Sequence, residues 1–349
     1  MKSGLKKLLI ALLVLLLCVG GLLAYFTIVD YKPEPVEDIE VTDATKVIDK
    51  DDEFSIMSFN TGYAGLSENE DFFMDGGEKV QPETEELVLE NIEGIGNQIN
   101  EADADFTFLQ EVDINSKRSY YNNEKEAYEE MTGKQGVFAY NFNVKFVPYP
   151  IPPIGQVESG LVTLTDYKMN SASRIALPIS FKWPVSTCNL KRCMLETRMP
   201  IEGSDKELVL INFHLEAYDS GEGKIAQSKM LAAKLKEEYE KGNYVIAGGD
   251  FNQTFEGMDK YPIHDTKGWV PGTIGQKEIG DDFSFAVSDN EPTCRLLNGP
   301  YSGNFEDSQV YVIDGFIVSK NIEVTNVENI RTEFKYSDHQ PVLMNFKLK

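Results

Sequence analysis

The chain has 349 residues, of which 42% are hydrophobic and 11% aromatic, so it holds enough apolar material for a packed globular core. Its 57 acidic residues outnumber the 33 basic ones, which gives a formal net charge of −24. Such a surface repels polyanions and argues against a processive DNA-binding protein, because nonspecific DNA binding depends on Lys and Arg side chains that neutralise phosphates. A metal-centred site still admits a phosphate group locally.

The first predicted element is an apolar helix. Leu8 to Val29 contains no charged residue, and at about 1.5 Å per residue it is roughly 33 Å long, enough to cross a bilayer. The alternative, a cleaved signal peptide, has an apolar core of about 7–15 residues and a small-residue cleavage site, and neither is evident. Lysines precede the segment and acids follow it, so the positive-inside rule predicts a cytoplasmic tail over 1–7, a transmembrane anchor over 8–29 and an extracytoplasmic domain at the cell membrane.

The next segment, residues 30–53, is acidic, contains two prolines and shows no sustained hydrophobic period. This composition is typical of an extended linker, and we expect it to hold a domain of residues 54–349 away from the membrane. Residues 1–29 contain three basic and no acidic residues, so the rest of the chain has 30 basic against 57 acidic residues, a net charge of −27.

Strand patterns outnumber helix patterns in the remaining chain. Helices are predicted over 83–102 and 224–241, where apolar residues recur every three to five positions. No internal repeat is visible. This distribution predicts an α+β fold, a four-layer α/β/β/α sandwich of two packed mixed sheets preceded by one transmembrane helix. Strands are predicted over 54–60, 106–112, 136–142, 159–165, 191–201, 207–215, 245–248, 309–319 and 340–348.

One connecting segment, residues 142–155, is rich in proline and aromatic residues. Proline in this density excludes a helix or a central strand. Two interpretations remain open: a loop packed on its own apolar residues, or a lip that faces the substrate or the membrane.

The four cysteines give weaker predictions. Cys188 and Cys193 would close a small disulfide loop if the domain is extracytoplasmic. Cys294 has no evident partner and is predicted to be a buried thiol. Cys18 follows Leu17, where a lipoprotein acylation site needs a small residue, so it is predicted to be a plain lipid-facing side chain.

Polar side chains follow the predicted strands where each strand ends. The apolar run at 245–248 leads directly into Asp250 and Asn252. Oxygen donors and imidazoles without clustered thiols suit Mg²⁺ or Mn²⁺ better than structural zinc. Carboxylates, imidazoles and one divalent cation are the groups that phosphoester hydrolysis needs. The other side chains at strand ends are Asn60, Glu111, His214, Asp314, Asp338 and His339.

Six short motifs at these strand ends occur in a fixed order: SFN, LQEVD, NFHLEAYD, GGDFN, YVIDGFIVS and YSDHQPV. Each motif alone is weak, but the ordered series over residues 54–349 resembles the endonuclease/exonuclease/phosphatase superfamily of metal-dependent phosphoesterases. The resemblance implies a metal site with Glu111 as the principal ligand, Asn60 beside it and Asp338 as a further ligand.

The resemblance also implies catalytic roles. Asp250 would position water, and Asn252 would bond a phosphoryl oxygen. His339 would be the base or a phosphate-binding imidazolium, held in one tautomer by Asp314, and His214 would contact the phosphate or the leaving group. Which group takes the proton from water stays open.

One further residue, Arg118, is predicted either to bind phosphate or to form a structural ion pair. The Val-Asp that follows Glu111 differs from the Thr-Lys of abasic-site endonucleases, and YVIDGF differs from the Trp-Cys-Asp-Arg of inositol-polyphosphate 5-phosphatases. Sphingomyelinase-like members resemble the chain better at these positions.

The predicted function is therefore that of a membrane-anchored, extracytoplasmic, Mg²⁺- or Mn²⁺-dependent phosphoesterase that cleaves phosphodiesters, with lipid head groups as one substrate. The alternatives are an extracellular nuclease, an enzyme acting on nucleotides, and a catalytically silent binding module with the same fold. The predicted partners are the phosphoester substrate and the membrane, and no segment identifies a protein partner.

Overall fold

A computed structural model describes residues 2–41, 43–219 and 221–349, without the side chain of Lys2. Met1 of the predicted cytoplasmic tail and Thr42 of the predicted linker lie outside the described residues. The α-helices in the described ranges are α1 (Lys2–Val29), α2 (Glu85–Ala102), α3 (Glu124–Thr132), α4 (Glu222–Glu240) and α5 (Gln276–Ile279).

The strands in the same ranges are β1 (Val36–Ile39), β2 (Glu53–Asn60), β3 (Phe106–Asp113), β4 (Gln135–Val147), β5 (Gly155–Thr165), β6 (Ser171–Ala176), β7 (Cys193–Pro200), β8 (Glu207–His214), β9 (Tyr244–Asp250), β10 (Gln253–Phe255), β11 (Gly272–Ile274), β12 (Phe283–Ala286), β13 (Cys294–Arg295), β14 (Val310–Tyr311), β15 (Asp314–Ser319), β16 (Ile322–Asn329) and β17 (Val342–Leu348).

Most of these strands belong to two mixed sheets. The first sheet has the order β1-β6-β7-β8-β9-β15-β12, and the second has the order β16-β17-β2-β3-β5-β4. Each large sheet contains one parallel pair, β8 with β9 in the first and β2 with β3 in the second. The short pairs β10–β11 and β13–β14 form separate two-stranded sheets.

Three buried apolar clusters define the layers of the molecule. The largest lies between the sheets and joins Phe54 and Phe108 of the second sheet to Leu210 of the first. A second cluster packs α4 on the outer face of the first sheet. A third packs α2 on the outer face of the second sheet through Ile92 and Ile95. The predicted four-layer α/β/β/α sandwich is confirmed, because each sheet buries both faces.

Local signals explain why α2 begins and ends where it does. Thr84 precedes the helix, and its side chain accepts a hydrogen bond from the Leu87 backbone N–H. Asp103, in the left-handed region at a φ of 42°, follows the last turn. The helix then leads into β3, which carries the first acidic strand motif.

The apolar N-terminal helix α1 contains a candidate membrane span, Ser3–Val29, and an 18-residue stretch of this span has a mean hydropathy of 2.8 and no buried residue. By length and composition this helix can cross a membrane, although an N-terminal signal sequence would pass the same test. The predicted transmembrane helix therefore has the required length and exposure.

The prediction of a free tether over 30–53 is wrong. Strand β1 pairs with β6 and extends the first sheet by one edge strand. Farther along, Ile48 bridges to Ile201 and is fully buried in the core between the sheets. The sequence did not reveal this strand, because an edge strand of four residues needs little apolar content.

The predicted Cys188–Cys193 disulfide is also wrong, since both residues are free thiols. Cys193 begins β7, and its side chain packs into the core between the sheets. Cys294 is a buried free thiol, as predicted.

The segment 142–155 is partly strand. Strand β4 continues to Val147 and lies at the edge of the second sheet, where proline is tolerated. The loop that follows exposes Tyr149 and Ile151. The exclusion of a helix or a central strand is therefore confirmed.

Candidate active site

One edge of the first sheet collects three of the predicted residues. His214 ends β8 and Asp250 ends the parallel strand β9, so the two lie opposite each other. Asp314 also pairs with Asp250, but it begins β15 and does not end a strand. Because β15 runs antiparallel to β9, its first residue lies at the same edge as the last residue of β9.

The double glycine before Asp250 permits close contact between β8 and β9. Gly249 has a φ of +147°, and a Cβ atom at this position would lie 1.9 Å from the Phe213 carbonyl oxygen. Only glycine fits there, so the GGD sequence places the Asp250 carboxylate against His214.

Glu111 lies within β3 and not at its end. The register between β3 and β5 shifts around this residue, between Leu109 and Val112. This shift is a β-bulge, and Glu111 takes a φ of 56° within it. The bulge turns the Glu111 side chain toward the site while β3 continues to Asp113. Backbone strain of this kind is common at functional sites.

Two buried amides that the sequence analysis missed support the bulge. The Asn212 side chain of β8 donates from Nδ2 to the carbonyl oxygens of Leu109 (3.1 Å) and Val162 (2.8 Å). Gln110 in turn donates from Nε2 to Asn212 Oδ1 at 2.8 Å. These contacts cross between the sheets, so the only sequence signal for them was a polar residue inside an otherwise apolar strand.

The Asp250 carboxylate is the centre of the polar cluster. Its Oδ1 accepts from the Asn252 backbone N–H at 2.8 Å. Its Oδ2 accepts from Asn60 Nδ2 at 3.1 Å and lies 3.3 Å from His214 Nε2 and 3.7 Å from His339 Nε2. Burial, followed by the charge of Asp314, raises the pKa of Asp250 to about 7.

His339 is paired with Asp314 as predicted. Its Nδ1 lies 2.9 Å from Asp314 Oδ2, and both side chains are buried. Burial lowers the pKa of His339, but the charges of Asp314, Cys294, Asp338 and Asp250 outweigh it and raise that pKa well above its usual value. A charged imidazolium at neutral pH follows.

His214 has the opposite character. Burial, with smaller contributions from Arg192 and His339, lowers the pKa of His214 well below its usual value. Its Nε2 faces Asp250, and its buried Nδ1 has no hydrogen-bond partner among the described residues. The two imidazoles of the site therefore differ in charge at neutral pH.

Asn252 follows β9 at a φ of 51°. Its Nδ2 donates to the Leu215 carbonyl oxygen at 2.9 Å, which fixes the amide next to His214. Lys224 of α4 donates from Nζ to the Asn252 carbonyl oxygen at 3.2 Å. Sequence analysis missed Lys224, because it lies in a helix and does not follow a strand.

The residues predicted to bind metal lie beside this cluster. Asn60 Nδ2 is 3.3 Å from Glu111 Oε1, and Asp338 is buried. Burial raises the pKa of Asp338 to about 7, and the charge of Glu111 contributes to this rise. No Lys or Arg nitrogen of the described residues lies within 4.0 Å of the Asp338 or Asp250 carboxylate. A divalent cation with oxygen ligands would neutralise this excess negative charge.

Asn60 fits a ligand role less directly. Its Oδ1 accepts from the Gly62 backbone N–H at 3.0 Å, while its Nδ2 faces the carboxylates of Glu111 and Asp250. The amide would have to turn to present its oxygen to a cation. The carboxylates of Glu111 and Asp338 are oxygen donors of the kind that a hard cation prefers.

Arg118 forms a buried ion pair. It donates from Nε and Nη2 to both oxygens of Asp113, at 3.0 and 2.9 Å. Its guanidinium stacks over the Tyr63 ring at 3.6 Å, and Nη2 is 3.9 Å from Glu111. A role in positioning Glu111 therefore has geometric support, and phosphate binding by Arg118 stays a prediction.

The polar residues form the floor of a cavity of about 820 Å³. Sequence analysis missed Tyr218 and Asp75 in its wall, where the Tyr218 hydroxyl donates to Asp75 Oδ1 at 2.9 Å. It also missed Trp269, whose Nε1 donates to the Ala217 carbonyl oxygen. We name as the catalytic edge the lining residues Glu111, His214, Asp250, Asn252, Asp338 and His339, together with Asn60 and Asp314, which contact Glu111 and His339.

Solved structures share this architecture. A structure of ANGEL2, described as a 2′,3′-cyclic phosphatase in complex with adenosine-2′,3′-vanadate, is 17% identical, with a TM-score of 0.57 over 88% of this chain and 99% of that chain. An endonuclease/exonuclease/phosphatase from Beutenbergia cavernae DSM 12333 is 15% identical, with a TM-score of 0.56 over 85% of this chain and 72% of that chain.

A protein of the same description from Bacteroides vulgatus is also 15% identical, with a TM-score of 0.55 over 85% of this chain and the whole of that chain. No protein-family model and no curated protein sequence matches the chain. The structural likeness establishes the fold, which is the endonuclease/exonuclease/phosphatase fold that the six motifs predicted.

Proposed function

We propose that the protein is a membrane-anchored, extracytoplasmic phosphoesterase that hydrolyses phosphodiesters with Mg²⁺ or Mn²⁺. The observation that carries this proposal lies in the catalytic edge: the buried carboxylates of Asp250 and Asp338, which no described Lys or Arg side chain pairs, lie beside one charged and one neutral imidazole in a cavity. The fold supports it, because a solved structure with the same fold is described as a phosphatase.

Glu111 and Asp338 would hold the cation, with Asn60 as a third ligand after its amide turns. The cation would supply neutralisation of the charge on a phosphoryl oxygen. Their donor set of carboxylate and amide oxygens is the one that Mg²⁺ and Mn²⁺ prefer.

The other residues act on the water and the phosphate. Asp250 Oδ2 orients the attacking water and takes its proton, since a pKa of about 7 suits a general base at neutral pH. The His339 imidazolium, held through Nδ1 by Asp314, binds a phosphoryl oxygen through Nε2. Asn252 donates to a second oxygen, and neutral His214 keeps Asp250 in place.

Helix α1 would be the membrane anchor. Its length and apolarity support a bilayer span. The lysines before it and the acids after it favour an outward-facing domain. A lipid head group is the substrate we favour, because an anchored enzyme with an acidic surface is better suited to a membrane than to a polyanion.

A nucleotide or nucleic-acid substrate is the second candidate. One observation favours it: the ANGEL2 structure holds adenosine-2′,3′-vanadate. The substrate assay must therefore include both classes, with sphingomyelin vesicles, plasmid DNA and a nucleotide panel offered to one preparation.

The chemical test uses the full chain in detergent with bis(p-nitrophenyl) phosphate. We expect hydrolysis with Mg²⁺ or Mn²⁺, loss of it in chelator, and recovery when the cation is restored. Absence of hydrolysis of this and of every panel phosphoester with both cations would leave the silent binding module as the better reading.

The anchor needs a separate test in intact cells. A membrane-impermeant amine reagent should label lysines of the 54–349 domain but not the N-terminal tail, and the protein should remain in the membrane fraction after a carbonate wash. Release of a shortened soluble protein would instead identify a cleaved signal peptide.

A further inference from the structure

The cavity above the catalytic edge continues to the N-terminal helix. Its lining includes Asp250 and His339 at one end and Leu22, Leu23 and Phe26 of α1 at the other. A single cavity, partly open to solvent, therefore joins the polar floor to an apolar wall that belongs to the predicted membrane anchor.

Several contacts hold this end of α1 against the domain. Phe26 is only 6% exposed, and its ring stacks on Phe146 of β4 with centroids 6.5 Å apart. Thr27 Oγ1 accepts a hydrogen bond from Trp183 Nε1 at 3.1 Å. Just beyond the helix, Asp30 pairs with Lys191 at 3.0 Å, and both side chains are largely buried. The helix is thus part of the cavity wall and not a loosely attached tether.

The facing wall is also apolar. It comprises Val147 at the end of β4, Pro148 and Tyr149 in the following loop, and Pro184 and Val185. Beside it, Trp183 is exposed and Ile151 is 94% exposed, although neither belongs to a hydrophobic core. Exposed tryptophan and aliphatic side chains next to a membrane helix are typical of the bilayer interface.

The depth of this wall in a bilayer follows from helix geometry. Leu22 lies seven residues before Val29, the last residue of α1, which is about 10 Å along the helix axis. If Val29 marks the outer surface, then Leu22, Leu23 and Phe26 lie in the acyl region of the outer leaflet, and the cavity opens beside them.

From this continuity we infer that the site takes an amphiphilic phosphoester of the outer leaflet, with its phosphate on the catalytic edge and its hydrocarbon chain along the last two turns of α1. The inference rests on the proposed phosphoesterase function and adds the binding site for the hydrocarbon chain of the substrate. The lipid enters sideways from the leaflet, so the anchor helix is a binding element for the chain. The apolar side chains of Leu22, Leu23 and Phe26 suit a hydrocarbon chain, which favours a lipid.

The test measures binding to the full chain in maltoside micelles and does not require turnover. The probes are hexadecylphosphocholine and phosphocholine, which share a head group and differ by one alkyl chain. Binding is followed through the two tryptophans of the chain, Trp183 beside the wall and Trp269 in the lining. We expect hexadecylphosphocholine to bind at least about 100-fold more tightly, because each buried methylene contributes about fourfold.

Variants of the wall separate the cavity from general partition into the micelle. Phe26→Ala and Leu22→Ala should each reduce the ratio of the two affinities by about five- to tenfold. Leu12→Ala, on the same helix but outside the cavity lining, should leave the ratio unchanged. Leu22 has an exposed side chain in the absence of lipid, so its replacement leaves the seating of α1 on the domain intact.

Equal ratios in Leu22→Ala, Leu12→Ala and the unaltered protein would overturn the inference, as would tighter binding of a decanucleotide than of hexadecylphosphocholine. Failure of the phosphoesterase proposal looks different: bis(p-nitrophenyl) phosphate would not be hydrolysed, whatever the two alkyl probes do.

Discussion

Acidic residues are concentrated at both ends of the first sheet, but at one end Lys and Arg side chains pair with the carboxylates and at the other no described Lys or Arg side chain does. At the end away from the catalytic edge, Arg198 pairs with three glutamates, at 2.8 to 3.1 Å. Lys234 and Lys241 add further pairs to the same carboxylates. We call this set the arginine cluster; it consists of Glu196, Arg198, Glu207, Lys234, Glu238 and Lys241.

The pKa shifts follow this difference. Burial raises the pKa of Glu238, but hydrogen bonds from Arg198, Lys241 and Lys234 outweigh it and lower that pKa below its usual value. At the catalytic edge, burial raises the pKa values of Asp250 and Asp338 to about 7. Carboxylates matched by cations stabilise the fold, whereas unmatched buried carboxylates are unfavourable for the fold and mark a functional site.

The largest expected effect comes from removing the proposed principal metal ligand. Glu111→Gln should lower kcat on bis(p-nitrophenyl) phosphate by about 10⁴-fold, since a bound metal contributes several kcal/mol to the transition state. The matched control is Glu196→Gln in the arginine cluster, which should keep its turnover and lose stability. Equal turnover in the two variants would contradict the assignment of catalysis to the catalytic edge and of stability to the arginine cluster.

The pair of His339 and Asp314 comes next. His339→Ala should lower kcat by about 10²–10³-fold, because the loss of one hydrogen-bond donor to a charged oxygen of the transition state costs about that much. Asp314→Asn should lower kcat less, and the double variant should resemble His339→Ala, since the two side chains act as one unit. Turnover and melting temperature are measured on the same samples. A lower melting temperature with normal turnover in Asp314→Asn would make Asp314 a purely structural residue.

Cation binding should sharpen the contrast in stability. Mn²⁺ at about 100 times its Kd should raise the free energy of unfolding by about 2.7 kcal/mol, measured by urea denaturation with and without chelator. Glu111→Gln should lose this increment, and Glu196→Gln should retain it. An increment that survives in Glu111→Gln would place the cation elsewhere.

The smallest expected effect concerns the arginine cluster. Glu238→Gln should lower the free energy of unfolding by about 2 kcal/mol and leave kcat unchanged, because it removes one of the three carboxylates paired with Arg198 and one carboxylate partner each of Lys234 and Lys241.

The pKa of Glu238 determines how its contribution to the free energy of unfolding changes with pH. The pKa of Glu238 is lower in the folded than in the unfolded state, where it is 4.5, so its stabilisation is present above about pH 4.5 and is lost as the pH falls toward the folded pKa. Urea midpoints between pH 2 and 6 should therefore fall less steeply in Glu238→Gln than in the unaltered protein. Parallel curves would contradict the assignment.

The local part of the architecture could be predicted from the sequence. Period-2 and period-3.6 apolar patterns identified the main strands and the helices α2 and α4, and the polar residues after those runs identified the members of the catalytic edge. These features depend on neighbours in sequence, so one chain suffices to recognise them. Short or polar elements such as α3 and β16 have weak periods and escaped recognition.

Other features were decided only by tertiary structure. The bulge that directs Glu111 depends on Asn212 from the other sheet, and the role of Asp314 depends on the antiparallel direction of β15. The pairing of β1 likewise requires a partner strand, β6, that is more than a hundred residues away. The burial of Cys193 requires the core between the two sheets. The same holds for the seating of α1 on Phe146 and Trp183, which joins the membrane helix to the cavity. Contacts between distant segments form only when the two sheets pack, and no local pattern encodes them.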